Sequence, residues 1–194
     1  MRPLKAEKLI NFTSLYILDE GVCPTIRRLL ICIKLIFLPG YVYAMVTIQK
    51  IVFRIRTADI EDAGTDGEVY VGFCGREFHI GTSYEDFERG AERTYSAGVA
   101  READEVNVNN PKLNNPSAFP PLDSEDISLY PVYVRFEPVG RYDHWCLQYI
   151  SVTAGDVKYE ALEPEEDNTI YTFLGYKSGK TIYLHPARNR RGPK

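Results

Sequence analysis

The sequence predicts a mostly β chain on three observations. Ile51, Phe53 and Ile55 alternate with Val52, Arg54 and Arg56, and Val69, Val71 and Phe73 alternate with Tyr70, Gly72 and Cys74, the period of two that a half-buried strand requires. Residues 130–136, YPVYVRF, are strand-forming in composition and place Tyr130, Val132, Val134 and Phe136 on one face. The 14 Tyr and 9 Phe stand against 2 Met and 1 Trp, and 14 Gly and 12 Pro break the chain too often for long helices. With 194 residues and 44% hydrophobic content, the natural expectation is one full core with appendages.

Residues 1–44 differ in character from the rest of the chain. Leu29–Val46 is an apolar run interrupted by Lys34 and Pro39-Gly40, preceded by Arg27-Arg28 and closing on Val42-Tyr43-Ala44, which imitates a signal-peptide cleavage site. Three readings stand: an extension upstream of a true start at Met45, an amphipathic or membrane-associating leader, or a secretion signal. The run falls short of the roughly 20 clean residues of a membrane span. The expected organisation is an N-terminal extension over 1–44, a sandwich over 45–185 and a basic tail over 186–194.

Strands are expected over residues 51–56 and 69–74, joined by the connection between Thr57 and Glu68, then from Glu77 to Ile80 and at Thr94-Tyr95-Ser96. The Asn- and Pro-rich residues 109–124 make a long loop, since both residue types favour turns over ladders. After 130–136 come Trp145 to Val152, Val157–Glu160, Ile170–Leu174 and Thr181–Leu184, with residues 163–168 as an exposed acidic loop. Gly175 to Thr181 imitates a phosphate-binding loop but is one residue short between its glycines and leads into a strand pattern, so a hairpin turn is expected. Cys23, Cys32, Cys74 and Cys146 have no metal-ligand spacing, and Cys74 and Cys146 are expected as packed free thiols.

The net charge of −4 is uneven: residues 1–44 carry six basic and three acidic side chains, and the remaining 17 basic and 24 acidic ones leave the rest near −7. Such a surface is a poor partner for nucleic acid, which needs a basic stripe. Enzymatic constellations are thin, with no G-x-S-x-G, no H-E-x-x-H, and His79, His144 and His185 far apart. No small-molecule substrate is evident.

Between Thr57 and Glu68 the chain packs Asp59, Glu61, Asp62, Asp66 and Glu68 around Gly64 and Gly67, an edge that invites a hard cation. The run Thr57-Ala58-Asp59, Ala63-Gly64-Thr65-Asp66, then Val69-x-Val71-x-Phe73-x-Gly75, with Asp86-Phe87-Glu88-Arg89-Gly90-Ala91 and Trp145-Cys146-Leu147 downstream, resembles the PLAT (lipoxygenase-homology) domain over roughly residues 46–160. The resemblance implies an antiparallel β-sandwich of two sheets with roughly eight strands. The expected core is Phe53, Ile55, Val69, Val71, Phe73, Val132, Val134, Trp145 and Leu147, with Phe87 buried and Arg89 in an ion pair. It further implies a non-catalytic module that makes protein or membrane-lipid contacts at a loop edge, with calcium held by Asp59 and Asp66. Phe136-Glu137-Pro138 replaces the family's HDN loop, which leaves Glu137 as the distal carboxylate and a weak site, on the order of 10⁻⁴ to 10⁻³ M. The alternative reading of Asp59 and Asp66 is that they cap turns without a metal. Two other functions stay open, a small metal-dependent enzyme or stress-associated factor using the acidic turn, and a structural subunit of a complex. A cytoplasmic location is expected, or a membrane-associated or secreted one if residues 1–44 act as a leader. Phe119 and Leu122 are the candidates for a membrane-facing loop tip.

Overall fold

The computed structural model describes residues 46–82, 85–162 and 170–187, all within one unit, Ala44–Lys194. The expectations for the leader, for the acidic loop at 163–168 and for the terminal tail fall outside the described residues. Eleven strands occur among those described: β1 (Ile51–Thr57), β2 (Glu68–Phe73), β3 (Arg76–Ile80), β4 (Glu92–Ala97), β5 (Glu105–Asn107), β6 (Tyr133–Glu137), β7 (His144–Ala154), β8 (Val157–Ala161), β9 (Thr172–Gly175), β10 (Thr181–Tyr183) and β11 (His185–Pro186). A 3-10 turn, η1 (Ser124–Ser128), is capped by the Asp123 carboxylate, which accepts from Glu125 N at 3.1 Å.

The strands form a seven-stranded sheet, ordered β11-β8-β7-β1-β4-β5 with β9 also on β7, and a four-stranded sheet, β10-β6-β2-β3. Every pairing is antiparallel except β4 with β5. The two-sheet sandwich is thus as expected, and the strand count exceeds eight because β5, β10 and β11 are pieces of two or three residues.

The alternation predicted for the first strand holds, with Ile51, Phe53 and Ile55 buried and Arg54 and Arg56 exposed. All nine predicted core residues are at most 3% exposed. Phe87 joins them, its ring 5.4 Å from that of Trp145 and 6.0 Å from Tyr95. Tyr130 departs from the expectation: it lies outside β6 and is exposed, its ring standing over the Cα of Gly75 instead of beneath the sheet. The segment Gly175–Thr181 is a turn closed by Gly175 N to Gly179 O at 2.8 Å, but it joins strands of different sheets. Cys74 and Cys146 are free and buried, and burial pushes both thiols up to about 11, which leaves them unreactive near neutral pH.

The loop between β5 and β6 is pinned along its length. Arg76 donates to the carbonyls of Asn115 at 2.7 Å and Ala118 at 3.3 Å and also to that of Pro120, while Asn114 bonds both the N–H and the C=O of His79 on the β3 edge. Leu122, expected at an exposed tip, is instead buried, because Ile48 N donates to its carbonyl at 2.9 Å and draws the segment onto the core. Phe119 is 95% exposed.

On the outer face of the smaller sheet Arg135 grips Glu77 through two bonds, Nε to Oε1 at 2.9 Å and Nη2 to Oε2 at 2.8 Å. That hydrogen bond holds the Glu77 carboxyl below its ordinary value, as the bond from Lys180 does for Glu137. A carboxylate depressed in the folded state stabilises above its unfolded value, about 4.3, and that stabilisation is lost as pH falls through the folded value. The melting temperature is therefore expected to hold from pH 7 to about 5 and to fall below about 4, with Glu77→Gln flattening the acid limb. An acid limb identical in the variant would remove this pair as a cause.

Candidate functional site

The acidic turn is built from the end of β1. The register between β1 and β7 shifts after Arg56, and Thr57, fully buried, becomes a hub: its Oγ1 accepts from Trp145 Nε1 at 3.0 Å and donates to the Phe87 carbonyl at 3.3 Å. Ala58 N donates to Cys146 O and Cys146 N to Ala63 O, both at 2.9 Å, so the turn is stitched to the start of β7 at two points. Ala58, Ala63 and Cys146 then bury a small apolar cluster of their own beside Ile60 and Phe173. The turn's backbone is thereby fixed and its carboxylates face outward.

A second connection meets it. Thr65 Oγ1 donates to Asp143 Oδ1 at 2.7 Å, and Asp143 Oδ2 accepts from Val139 N at 2.8 Å, so one aspartate ties the acidic turn to the β6–β7 loop. Beside that loop lies the β9–β10 turn, brought there by the β7–β9 pairing of His144 with Gly175. The two loops enclose a hollow of about 460 Å³ whose walls include Tyr142, His144, Phe173 and Tyr176. Their tips are apolar and exposed: Val139 75%, Tyr142 82% and Tyr176 57%. Arg141 and Lys177 flank them, and Lys180 lies over the Tyr176 ring at 4.4 Å. Sequence reading missed this group; an Asp in a Pro- and Gly-containing loop just before a buried Trp is the available signal for Asp143, a loop-capping residue type.

Among the described residues the three predicted ligands do not form one group. Asp59 is exposed at the turn and accepts from Arg89 Nε at 2.7 Å, the ion pair expected of Arg89. Asp66 is exposed and borders a hollow of about 280 Å³ with Glu68 and His79. Glu137 ends β6 opposite Glu68 and is held by Lys180 Nζ at 2.9 Å and Arg135 Nη1 at 3.0 Å. Among the described residues no three His, Cys, Asp or Glu side chains are grouped as a metal would need. As they stand, these carboxylates do not fit a ready calcium cage: two of the three already neutralise a cation.

Fold and edge together define a class, a two-sheet sandwich whose loops at one end expose Val139, Tyr142 and Tyr176. The family model of the PLAT/LH2 domain matches residues 51–173, and the chain belongs to that family. No curated protein matches the chain. Among solved structures it is similar to the alpha toxin of Clostridium absonum, at 24% identity and a TM-score of 0.46 over 75% of this chain and 33% of the toxin. The alpha toxin of Clostridium perfringens gives 18% and 0.44 over 76% and 34%. Coral 8R-lipoxygenase gives 16% and 0.41 over 71% and 17%. The chain thus spans about a third of the toxins it resembles.

Proposed function

We propose that this domain is a non-catalytic module that docks on membrane lipid through the edge formed by the β6–β7 and β9–β10 loops. The observation that carries the reading is the exposure of Tyr142 and Tyr176 on the walls of one hollow, with Val139 exposed on the same loop as Tyr142, the loops being pinned by Asp143 and by the Gly175–Gly179 bond. Tyrosine suits the membrane interface because its ring is apolar and its hydroxyl wet, and a rigid tip loses little entropy on insertion. The opposite end also exposes an aromatic, Phe119, but the segment after it carries Asp123, Glu125 and Asp126, which an anionic membrane repels.

The flanking Arg141 and Lys177 are offset by the acidic turn alongside, so attachment rests on buried apolar area more than on charge. Vesicles of phosphatidylcholine are therefore expected to co-sediment the protein nearly as well in ~0.5 M salt as in ~0.1 M, where a charge-driven contact would be largely screened at the higher value. Tyr142→Ser with Tyr176→Ser is expected to weaken binding at least tenfold, since each side chain is worth about 1.5–3 kcal/mol on full burial. Binding unchanged in the double variant would overturn the assignment of the edge.

Calcium, in this reading, is an accessory to the contact. An ion at Asp59 has to displace Arg89, and one at Glu137 has to displace Lys180, so calorimetric titration is expected to give half-saturation no tighter than roughly 10⁻⁴ to 10⁻³ M. Saturation at low micromolar calcium would contradict the competition.

A further inference from the structure

The hollow of about 460 Å³ at the loop edge has rings on both of its sides, Tyr142 and His144 from the start of β7 and the loop before it, Phe173 and Tyr176 from β9 and the turn after it. The two sides are locked together. His144 and Gly175 are paired across β7 and β9, and a Cβ on Gly175 would lie 3.2 Å from both Asp143 O and His144 Cβ, so the strands meet there with no side chain between them. A carbonyl only accepts, so His144 Nδ1 donates to Tyr142 O at 2.8 Å, and the imidazole stands at 61° to the Phe173 ring with centroids 5.4 Å apart. The ring walls are thus set before anything enters, which spares ordering entropy on binding.

The faces of aromatic rings attract cations. Tyr176 already shows this use: Lys180 Nζ, held by Glu137 at 2.9 Å, lies 4.4 Å from its ring centroid. Lys180 covers one face only, and with Tyr176 57% exposed and Tyr142 82% exposed, ring surface remains for a second cation. The acceptors on hand decide which kind. Asp143 is the one carboxylate among the residues walling the hollow, and its oxygens are engaged by Thr65 Oγ1 at 2.7 Å and Val139 N at 2.8 Å. A primary ammonium would trade its water for too few acceptors, whereas a quaternary ammonium has no N–H to satisfy and is held by ring faces. Arg141 and Lys177 also wall the hollow, and neither is in an ion pair among the described residues, which leaves both for a phosphate.

We propose that this hollow receives the phosphocholine headgroup of a membrane lipid, its trimethylammonium against Tyr142, Phe173 and Tyr176 and its phosphate on Arg141 and Lys177. The inference rests on the docking edge proposed above and names the lipid that the edge selects. The headgroup is a zwitterion without net charge, so attachment stays weakly dependent on salt. The test is titration of the whole chain, followed by nuclear magnetic resonance, with phosphocholine, phosphoethanolamine and tetramethylammonium. Beside it, co-sedimentation compares phosphatidylcholine with phosphatidylglycerol vesicles in ~0.5 M salt, where long-range charge attraction is screened. Phosphocholine is expected to saturate at millimolar concentration, phosphoethanolamine to bind at least tenfold more weakly, and phosphatidylcholine vesicles to be preferred. Tyr142→Leu/Tyr176→Leu is expected to weaken phosphocholine and tetramethylammonium at least tenfold at an unchanged melting temperature. Arg141→Gln/Lys177→Gln is expected to weaken phosphocholine alone, and Lys112→Gln, a cation elsewhere on the surface, to bind as wild type. Equal attachment to both kinds of vesicle, with phosphocholine unbound at tens of millimolar or bound no better than phosphoethanolamine, would overturn the headgroup and leave the docking edge standing. Phosphocholine binding with no attachment to either vesicle would overturn the edge and with it the lipid source of the ligand. Undiminished phosphocholine binding in the tyrosine pair, or an equal loss in Lys112→Gln, would overturn the proposal whatever the vesicles show.

Discussion

Trp145→Ala is expected to destabilise the domain by about 3–5 kcal/mol, a fall in melting temperature on the order of 10 °C. The indole is completely buried, packed between Phe87 at 5.4 Å and Phe136 at 6.0 Å, so its removal opens a cavity between the sheets. It also deprives Thr57 Oγ1 of the donor at 3.0 Å, in the one place where β1, β7 and the Phe87 carbonyl are tied together. Trp145→Phe separates the two effects, since it keeps most of the ring volume and loses the N–H; about 1–2 kcal/mol is expected for it. Thermal and urea unfolding measure both. A near-unchanged melting temperature for the alanine variant would take Trp145 out of the core.

The second large effect is expected at Gly67, by overfilling instead of emptying. A Cβ there would lie 2.3 Å from Phe136 Cε2 and 2.9 Å from Asp143 Oδ2, and Phe136 is itself fully buried, so something must shift. Gly67→Ala is expected to cost about 1–3 kcal/mol and to loosen the Thr65–Asp143 bond that couples the acidic turn to the β6–β7 loop. Gly140→Ala is the control: nothing lies within 4 Å of a Cβ built there, and a change within about 0.5 kcal/mol is expected. Equal losses at the two positions would deny the close packing its role.

Locality decides how much of the fold was legible in the sequence. The turn at 57–67 and the strands flanking it announce themselves by alternation and by glycine placement, and they fold as expected because each strand has one wet and one dry face. β7 was expected from Trp145 to Val152, but not its coverage on both faces: Trp145, Cys146 and Leu147 are buried in succession where the strand meets the Ala58–Ala63 cluster. β5, a parallel partner of β4, is invisible locally because its register is set by pairing at a distance. Leu122 looks like a loop tip in a Pro-rich stretch and is buried because Ile48 and Arg76, far away in sequence, hold the loop down. The candidate site was legible by half. The carboxylates of the acidic turn were evident, but Arg89 and Lys180, which neutralise Asp59 and Glu137, reach them from residues that only the fold brings near. Val139, Tyr142 and Tyr176 were unmarked for the same reason: only the β7–β9 pairing sets the last beside the first two.

The docking edge is tested most directly by moving a reporter onto it. Tyr142→Trp places an indole at the proposed contact, while the native Trp145 is completely buried. With phosphatidylcholine vesicles its emission is expected to shift to the blue and to be quenched by brominated acyl chains, whereas Phe119→Trp, at the opposite end of the sandwich, stays unquenched. Quenching of Phe119→Trp with none of Tyr142→Trp would contradict the assignment and place the membrane at the other end.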